Sequence, residues 1–231
     1  MKTVGIVGGI GPESTVDYYR AIIAAYRERQ SDGSYPSVVI NSIDAKRMLD
    51  AFAANELPAV TAFLAAEVER LAAAGVSVGL LAANTPHIVF DEVQRQSPIP
   101  LVSIVQATCE AVQALGLARP GLLGTRFTMQ GRFYPDVFSK AGITLVLPDP
   151  DEQAYIHDKY MNELVRGVLM PETRERLLAI IDRMKTCDGI DGVILGGTEL
   201  PLILRTATAS GIPLLDTTQI HAKALVARAS A

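Results

Sequence analysis

Residues 75–85 read GVSVGLLAANT, a short apolar run that ends in small and polar residues. Residues 189–199 read GIDGVILGGTE and have the same form. Two further runs, VGIVGG at 4–9 and PGLLGT at 120–125, each end at a glycine turn. Short apolar runs bounded by turn residues are typical of buried strands in parallel sheets. These four segments therefore predict parallel strands whose following loops lie at the carboxyl edge of a sheet.

Helical patterns separate the apolar runs along the whole chain. Apolar residues recur at helical spacing at Val60, Leu64, Val68 and Leu71, for example. Strands that alternate with amphipathic helices indicate an α/β fold with a mostly parallel sheet. We predict eight strands, at 3–8, 37–43, 76–82, 100–104, 120–124, 143–147, 191–196 and 212–215.

The order of these elements contains a weak duplication. Positions 8 and 83, at the ends of two runs in the first half, lie 75 residues apart, and positions 124 and 197 lie 73 apart in the second. Four predicted strands fall in each half. We therefore expect two pseudosymmetric α/β domains, each with a four-stranded, mostly parallel sheet flanked by helices. The alternative is one eight-stranded sheet whose halves are similar by chance.

The composition excludes several classes of protein. The 231 residues are 49% hydrophobic and 20% charged with a net charge of −4, which is typical of a soluble globular protein. No cluster of Lys and Arg favours nucleic acid or an anionic membrane as a partner. No run approaches the ~18 apolar residues of a membrane span, and no signal-peptide pattern begins at Met1.

The two cysteines, Cys109 and Cys187, are 78 positions apart and match neither a disulfide framework nor a zinc site. We expect a protein of the reducing cytoplasm with no metal site. Both cysteines fall in predicted helices, where we expect them to pack as small hydrophobic side chains.

Loops with unusual composition follow four of the predicted strands, at 8–15, 83–87, 124–128 and 197–201. They place small residues, hydroxyls or an amide before a helix, where backbone N–H groups favour a carboxylate or phosphate. A small anionic ligand is therefore expected. The first loop is not a dinucleotide motif, because a G-x-G-x-x-G frame from Gly9 puts Ser14 at the third glycine.

Four motifs together resemble the aspartate/glutamate racemase family. They are GGIGPEST at 8–15, Asn84-Thr85-x-His87, GLLGTRFTM at 121–129 and Gly196-x-Thr198-Glu199-Leu200. The resemblance covers nearly the whole chain. It implies an active site in a cleft between two pseudosymmetric domains, a homodimer, and no pyridoxal phosphate, metal or nucleotide cofactor. In this family the last strand and helix return to the first domain, which gives domains of 1–98 plus 210–231 and 99–209.

The family's chemistry depends on two thiols. Racemisation removes the α-proton from one face of an amino acid and delivers another to the opposite face, and a thiol with a pKa near neutrality suits this task. In family members the cysteines precede Asn-Thr in the first domain and Thr-Glu in the second. The matching positions here are Ala83 and Gly197. Neither accepts a proton, so we expect a racemase scaffold without its two bases.

Other residues of these loops are candidates for chemistry or binding. Glu199 adjoins the second vacant position and His87 follows the first, so either is a candidate base, with a capping or structural role as the alternative. Arg47 resembles in placement the basic group that holds a side-chain carboxylate, although a surface arginine is an equal alternative. The remaining candidates to anchor a ligand carboxylate are Gly9, Gly11, Asn84, Thr85, Thr125, Thr128 and Thr198.

Three functions are compatible with this sequence. The first is racemisation of an acidic or related amino acid, favoured by the four motifs and opposed by Ala83 and Gly197. The second is an enzyme of the same fold with altered chemistry, such as elimination or decarboxylation, with Glu199 or His87 as the base. The third is a non-catalytic carboxylate-binding protein, or a deliberately inactivated form of a racemase.

Overall fold

The structure is a computed structural model that describes residues 1–30 and 32–231. Two compact units make up the chain. The first comprises Met1–Ile104 together with His221–Ala231, and the second comprises Val105–Ile220. Each unit contains its own four-stranded sheet, so the single eight-stranded sheet is excluded and the α/β prediction is confirmed.

The sheet of the first unit is entirely parallel, with strand order β2-β1-β3-β4. Its strands are β1 Val4–Gly8, β2 Val38–Ser42, β3 Val78–Leu81 and β4 Leu101–Val102. Its helices are α1 Pro12–Arg29, α2 Lys46–Ala53, α3 Leu57–Ala73 and α4 Phe90–Gln96, with a 3-10 helix at Thr85–Val89. Every residue of β1 and β3 is buried, as expected for central parallel strands.

Helices cover both faces of this first sheet. On one face, Tyr18 and Ile22 of α1 pack with Ile6 of β1 and with Leu225 near the C-terminus. Val7 faces the other side, where it joins a second buried cluster with residues of α3 and α4. Pro12 opens α1 at a position where its missing N–H costs no helical hydrogen bond. Burial on both faces holds the carboxyl ends of β1 and β3 side by side.

The sheet of the second unit has the order β5-β6-β8-β7. Its strands are β5 Gly121–Gly124, β6 Val193–Gly196, β7 Thr208–Ala209 and β8 Ile212–Asp216, of which only β7 is antiparallel. The remaining helices are α5 Ile104–Ala114, α6 Arg126–Gln130, α7 Phe133–Phe138, α8 Pro150–Asn162, α9 Pro171–Arg183, α10 Leu200–Ile203 and α11 Thr217–Ser230. α8 and α9 cover β5 and β6 through a large buried apolar cluster.

The predicted strand 143–147 is wrong in extent. Only Val146 forms a bridge, parallel to Gly121, on the side of β5 that corresponds to the position of β2 beside β1. The half-exposed Leu147 and then Pro148, which has no N–H to donate, end the pairing there. The fourth strand of this sheet is instead β7, two residues that the sequence pattern did not single out.

The division into units differs from the sequence-based boundaries at two places. Residues 99–104 belong to the first unit because β4 pairs with β3. Residues 210–220 belong to the second because β8 pairs with β6, so only His221–Ala231 returns to the first unit. Within the described chain, no helix is long and apolar enough to cross a membrane.

Candidate functional site

Except for Arg47, which lies in α2, the predicted site residues of each unit lie at the carboxyl ends of two adjacent strands. In the first unit, Gly9 follows β1 and Ala83 follows β3, its direct neighbour in the sheet. In the second unit, Thr125 follows β5 and Gly197 follows β6, again its direct neighbour. The duplicated sequence pattern therefore produces two loop pairs of the same topology, one in each unit.

Polar groups of the loop after β1 form hydrogen bonds with one another. The Gly9 N–H donates to Thr15 Oγ1 at 2.9 Å, and the Thr15 hydroxyl donates to the Gly11 carbonyl at 3.0 Å. The Ser14 hydroxyl donates to the same carbonyl at 2.8 Å. Gly9 has a φ of 80°, and a Cβ there would lie 2.7 Å from the Ile43 nitrogen, so only glycine fits. The Gly9 N–H is consequently engaged within the loop and is not directed to a ligand.

This geometry makes a prediction about Thr15. Thr15→Ala leaves the buried Gly9 N–H without its acceptor, which is expected to lower the free energy of unfolding by about 1–3 kcal/mol. Thr15→Ser keeps the hydroxyl and serves as the matched control. Urea unfolding followed by circular dichroism measures both. An alanine variant as stable as the serine variant would show that this hydrogen bond contributes nothing.

His87 is held by the backbone on both sides of its ring. Its Nδ1–H donates to the Ala83 carbonyl at 2.9 Å, and its Nε2 accepts the Ile104 N–H at 3.1 Å. Burial, together with the neighbouring His221, lowers the pKa of His87 to about 3. The ring is therefore neutral with both nitrogens engaged. This arrangement favours the structural alternative over a catalytic base.

His221 is a second buried histidine that the sequence analysis did not select. Its Nδ1 accepts the Tyr18 hydroxyl at 2.9 Å, and its Nε2–H donates to the Val102 carbonyl at 2.8 Å. Burial lowers its pKa to about 4. The ring centres of His87 and His221 are 5.8 Å apart in an edge-on arrangement. His221 belongs to none of the four motifs. The feature of the sequence that could have selected it is the rarity of histidine, since the chain has three.

Arg47 is exposed and lies in the first turn of α2. Its guanidinium lies 5.7 Å from the centre of the Phe63 ring. Both residues line an open groove of about 630 Å³ between α2 and α3, whose described lining residues all fall within 44–63. The groove also carries Lys46 and the carboxylates of Asp44, Asp50 and Glu56. Neither Asn84 nor Thr85 is among the described residues that line this groove.

Asn84 and Thr85 stand at the end of β3 beside Ala83. Asn84 is 3% exposed and Thr85 is half-buried. Asn84 precedes the 3-10 helix Thr85–Val89 but makes no capping hydrogen bond with its side chain. The Asn84 side chain is therefore a polar group at the strand end that does not cap the helix that follows.

Two threonines organise the loop after β5. Thr125 caps α6, since its Oγ1 accepts the Thr128 N–H at 3.3 Å, and the two hydroxyl oxygens are also 3.3 Å apart. Both side chains are buried. His157 of α8 accepts the Arg126 N–H at 3.2 Å, and its pKa is lowered by partial burial and by the charge of Arg126. His157 was not predicted, because nothing in the helical pattern of α8 distinguishes it.

The loop after β6 contains a buried carboxylate with two hydroxyl donors. Glu199 is 3% exposed, and its Oε2 accepts the Thr198 hydroxyl at 2.9 Å and the Tyr160 hydroxyl from α8. Burial, together with the adjacent Glu199 charge, raises the pKa of Tyr160 well above its usual value. Tyr160 is a further residue that the sequence analysis missed, because it reads as an ordinary apolar position of a helix.

The two cysteines differ in their surroundings. Cys109 is buried in α5, as predicted, and its pKa is raised by burial and by Glu110. Cys187 is exposed, so the prediction that it packs as a core residue is wrong. It lies in a π-helical turn, Met184–Asp188, in which Met184 is the buried residue. Among residues 1–30 and 32–231, no group of three or more His, Cys, Asp or Glu side chains is placed to hold a metal ion.

Comparison with known proteins gives consistent matches along the chain. The model of the Asp/Glu/Hydantoin racemase family matches residues 7–225. The broad specificity amino-acid racemase RacX of Bacillus subtilis is 25% identical over 236 residues, which cover 96% of each chain. An aspartate racemase homologue from Pyrococcus horikoshii OT3 is 35% identical over the full length of both chains, with a TM-score of 0.86.

A more distant structure shares the fold. Glutamate racemase from Francisella tularensis, solved in complex with D-glutamate, is 16% identical with a TM-score of 0.67. The match covers 98% of this chain and 80% of that one. At this level of identity the similarity concerns the fold alone.

Proposed function

We propose, since this chain belongs to the Asp/Glu/Hydantoin racemase family, that it binds a small carboxylate or amino acid at the carboxyl ends of its parallel strands. We further propose that it does not carry out two-thiol racemisation. The observation that carries the proposal is the pair of residues at the two strand ends, Ala83 after β3 and Gly197 after β6. The location of the ligand between the two halves of the chain stays a prediction of the resemblance.

Proton transfer at both faces of an α-carbon needs one acceptor on each side. A methyl group at 83 and a hydrogen atom at 197 supply none. His87, the nearest candidate in the first unit, uses both ring nitrogens in bonds to the backbone. The Thr85 hydroxyl is suited to hold a carboxylate but is a weak base, and the Thr198 hydroxyl already donates to Glu199. Binding without racemisation is therefore the function that these residues support best.

Incubation with L- and D-aspartate and L- and D-glutamate in heavy water tests this proposal. We expect no deuterium at the α-carbon by NMR, because no base faces it, while calorimetry detects binding of at least one of the four. Incorporation of α-deuterium would contradict the loss of racemisation. Absence of binding for all four would contradict an acidic amino acid as the ligand.

A matched pair of variants tests whether the Thr85 hydroxyl contributes to ligand binding. Thr85→Val removes a half-buried hydroxyl at the end of β3, and Thr61→Val removes one that donates to the Leu57 carbonyl within α3. A hydrogen bond to a charged ligand group contributes about 1.5–3 kcal/mol, so Thr85→Val is expected to weaken binding roughly tenfold or more. Thr61→Val is expected to leave the affinity unchanged.

Altered chemistry with Glu199 as the acting group is a second candidate. The specific observation in its favour is a buried carboxylate two residues after Gly197. A screen of amino and hydroxy acids for elimination or decarboxylation, repeated with Glu199→Gln, tests it. Turnover that persists in the glutamine variant would remove Glu199 from the mechanism.

The cytoplasmic location and the homodimer remain part of the proposal. Both derive from the sequence, the first from its two cysteines and the second from the family resemblance. Analytical ultracentrifugation of the purified chain distinguishes a dimer of about twice 24.7 kDa from a monomer.

A further inference from the structure

Gly197 has no room for a side chain, and the atoms that fill the space belong to Tyr160. A Cβ built on Gly197 would lie 2.9 Å from both Tyr160 Cζ and Tyr160 Oη, and closer still to Cε2. Real Cβ atoms essentially never approach heavy atoms within 3.0 Å, so the ring must move before any residue other than glycine fits. The φ of Gly197 is not positive, so the constraint is space and not backbone conformation.

Tyr160 is not free to swing away. Its ring is 6% exposed and packs in the large buried cluster of the second unit with Leu164 and Leu200. Its hydroxyl is tied to Glu199, which also accepts the Thr198 hydroxyl. A displaced ring would lose apolar contacts and leave a buried carboxylate with fewer donors, and both changes are costly.

We infer that Tyr160 is the positioning residue of the loop after β6: its ring takes the place of a side chain at position 197, and its hydroxyl holds the Glu199 carboxylate. The loop consequently presents a phenol bound to a carboxylate at the position where the family resemblance places a thiol. The consequence of this arrangement for ligand binding rests on the proposed function. The steric conflict between Tyr160 and a side chain at position 197 does not. Replacement of Gly197 alone therefore cannot restore a well-placed thiol.

A double-mutant cycle on thermal stability tests the coupling without any ligand. Gly197→Ala is expected to lower the apparent Tm by about 5 °C or more, since overpacking costs several degrees in a chain of this size. On a Tyr160→Leu background, which lacks the conflicting ring atoms, the same change is expected to shift Tm by less than about 2 °C. Equal shifts on both backgrounds would overturn the inference.

Two controls separate the ring from other causes. Tyr160→Phe keeps Cε2 and Cζ but lacks the hydroxyl, so it is expected not to rescue Gly197→Ala. Gly196→Ala places a Cβ whose three nearest neighbours are Leu122 Cδ1 at 2.8 Å and the Leu123 carbonyl oxygen and Thr128 Cγ2 at 2.9 Å, none of them in Tyr160. Tyr160→Leu is therefore expected not to rescue Gly196→Ala. Rescue of Gly196→Ala by Tyr160→Leu would show that the leucine variant merely loosens the unit. Rescue of Gly197→Ala by Tyr160→Phe would show that the hydroxyl and not the ring occupies the space, and either result would overturn the inference.

Tyr160→Met provides a second background if the leucine variant does not fold, because methionine also lacks the ring and adapts its shape to a core. Rescue of Gly197→Ala by methionine supports the inference, and its absence in a folded methionine variant overturns it. Because the cycle contains no ligand, failure of every amino acid to bind would refute the proposed function and leave this result intact.

Discussion

Acidification from about pH 7 to about pH 4.5 is expected to remove roughly 5 kcal/mol of unfolding free energy, with His87 and His221 as the main cause. Both rings are buried, and both accept one hydrogen bond that requires the neutral form, from the Ile104 N–H and the Tyr18 hydroxyl. A proton on either ring breaks that bond and buries a charge about 6 Å from the other histidine.

The direction follows from the pKa values. In the unfolded chain each histidine titrates near its ordinary pKa of 6.5, whereas in the folded protein the pKa is about 3 for His87 and about 4 for His221. The unfolded state therefore binds more protons below about pH 6.5, and stability falls as the pH falls through that window. Each histidine contributes about 1.4 kcal/mol per pH unit until its folded pKa is reached.

Variants isolate the two histidines from the carboxylates that also titrate in acid. The glutamine side chain has a donor and an acceptor but does not titrate. His87→Gln and His221→Gln are therefore each expected to reduce the slope of the unfolding free energy against pH by about 1.4 kcal/mol per pH unit, which corresponds to one bound proton. His157→Gln is the control, because His157 is only partly buried. Denaturant melts between about pH 4.5 and pH 7 measure the slopes. Unchanged slopes in both buried-site variants would exclude the pair as the cause.

The sequence predicted those parts of the fold that depend on local pattern. The buried runs ending at Gly8, Gly124 and Gly196 are strands because both faces of a central parallel strand are apolar, a pattern visible in the residues themselves. The segment 143–147 has the same apolar character but forms only one bridge. Its pairing is limited by Pro148, which has no N–H to donate, and by tertiary packing at the β5 edge of the sheet, which periodicity does not encode.

The sequence predicted which loops form the candidate site, but it did not predict which side chains form hydrogen bonds with the residues of those loops. Thr198 and Glu199 were located correctly at the end of β6, because a strand-end loop is readable from sequence. Tyr160 and His221 come from helices 39 and 203 residues away from the groups they bond. Such contacts are fixed by how α8 and the C-terminal helix pack, and no residue spacing encodes them. The roles of Glu199 and His87 could therefore not be assigned before their partners were known.

A variant that combines Ala83→Cys, Gly197→Cys and Tyr160→Leu is expected to exchange the α-proton of aspartate or glutamate in heavy water, from no detectable rate in the parent. The variant with the two cysteines alone is expected to show at least about a tenfold lower rate, which corresponds to ~1.4 kcal/mol in the barrier. The physical reason is the Tyr160 ring, whose Cζ and Oη lie 2.9 Å from a Cβ at 197. A thiol forced in beside it is misplaced, and proton transfer depends steeply on position.

Controls assign any exchange to the thiols. The matched triple variant with Ala83→Ser and Gly197→Ser in place of the cysteines has side chains of similar size but no group with a pKa near neutrality, so it is expected to be inactive. A further triple variant combines Tyr160→Leu with a cysteine substitution at one of positions 83 and 197 and a serine substitution at the other. It is expected to exchange the α-proton for deuterium with retention of configuration, because inversion needs an acid on the opposite face. Equal exchange with and without Tyr160→Leu would show that the ring does not exclude a working thiol. No exchange in a cysteine triple variant that still binds aspartate would mean that the loops after β3 and β6 have diverged in more than these three side chains.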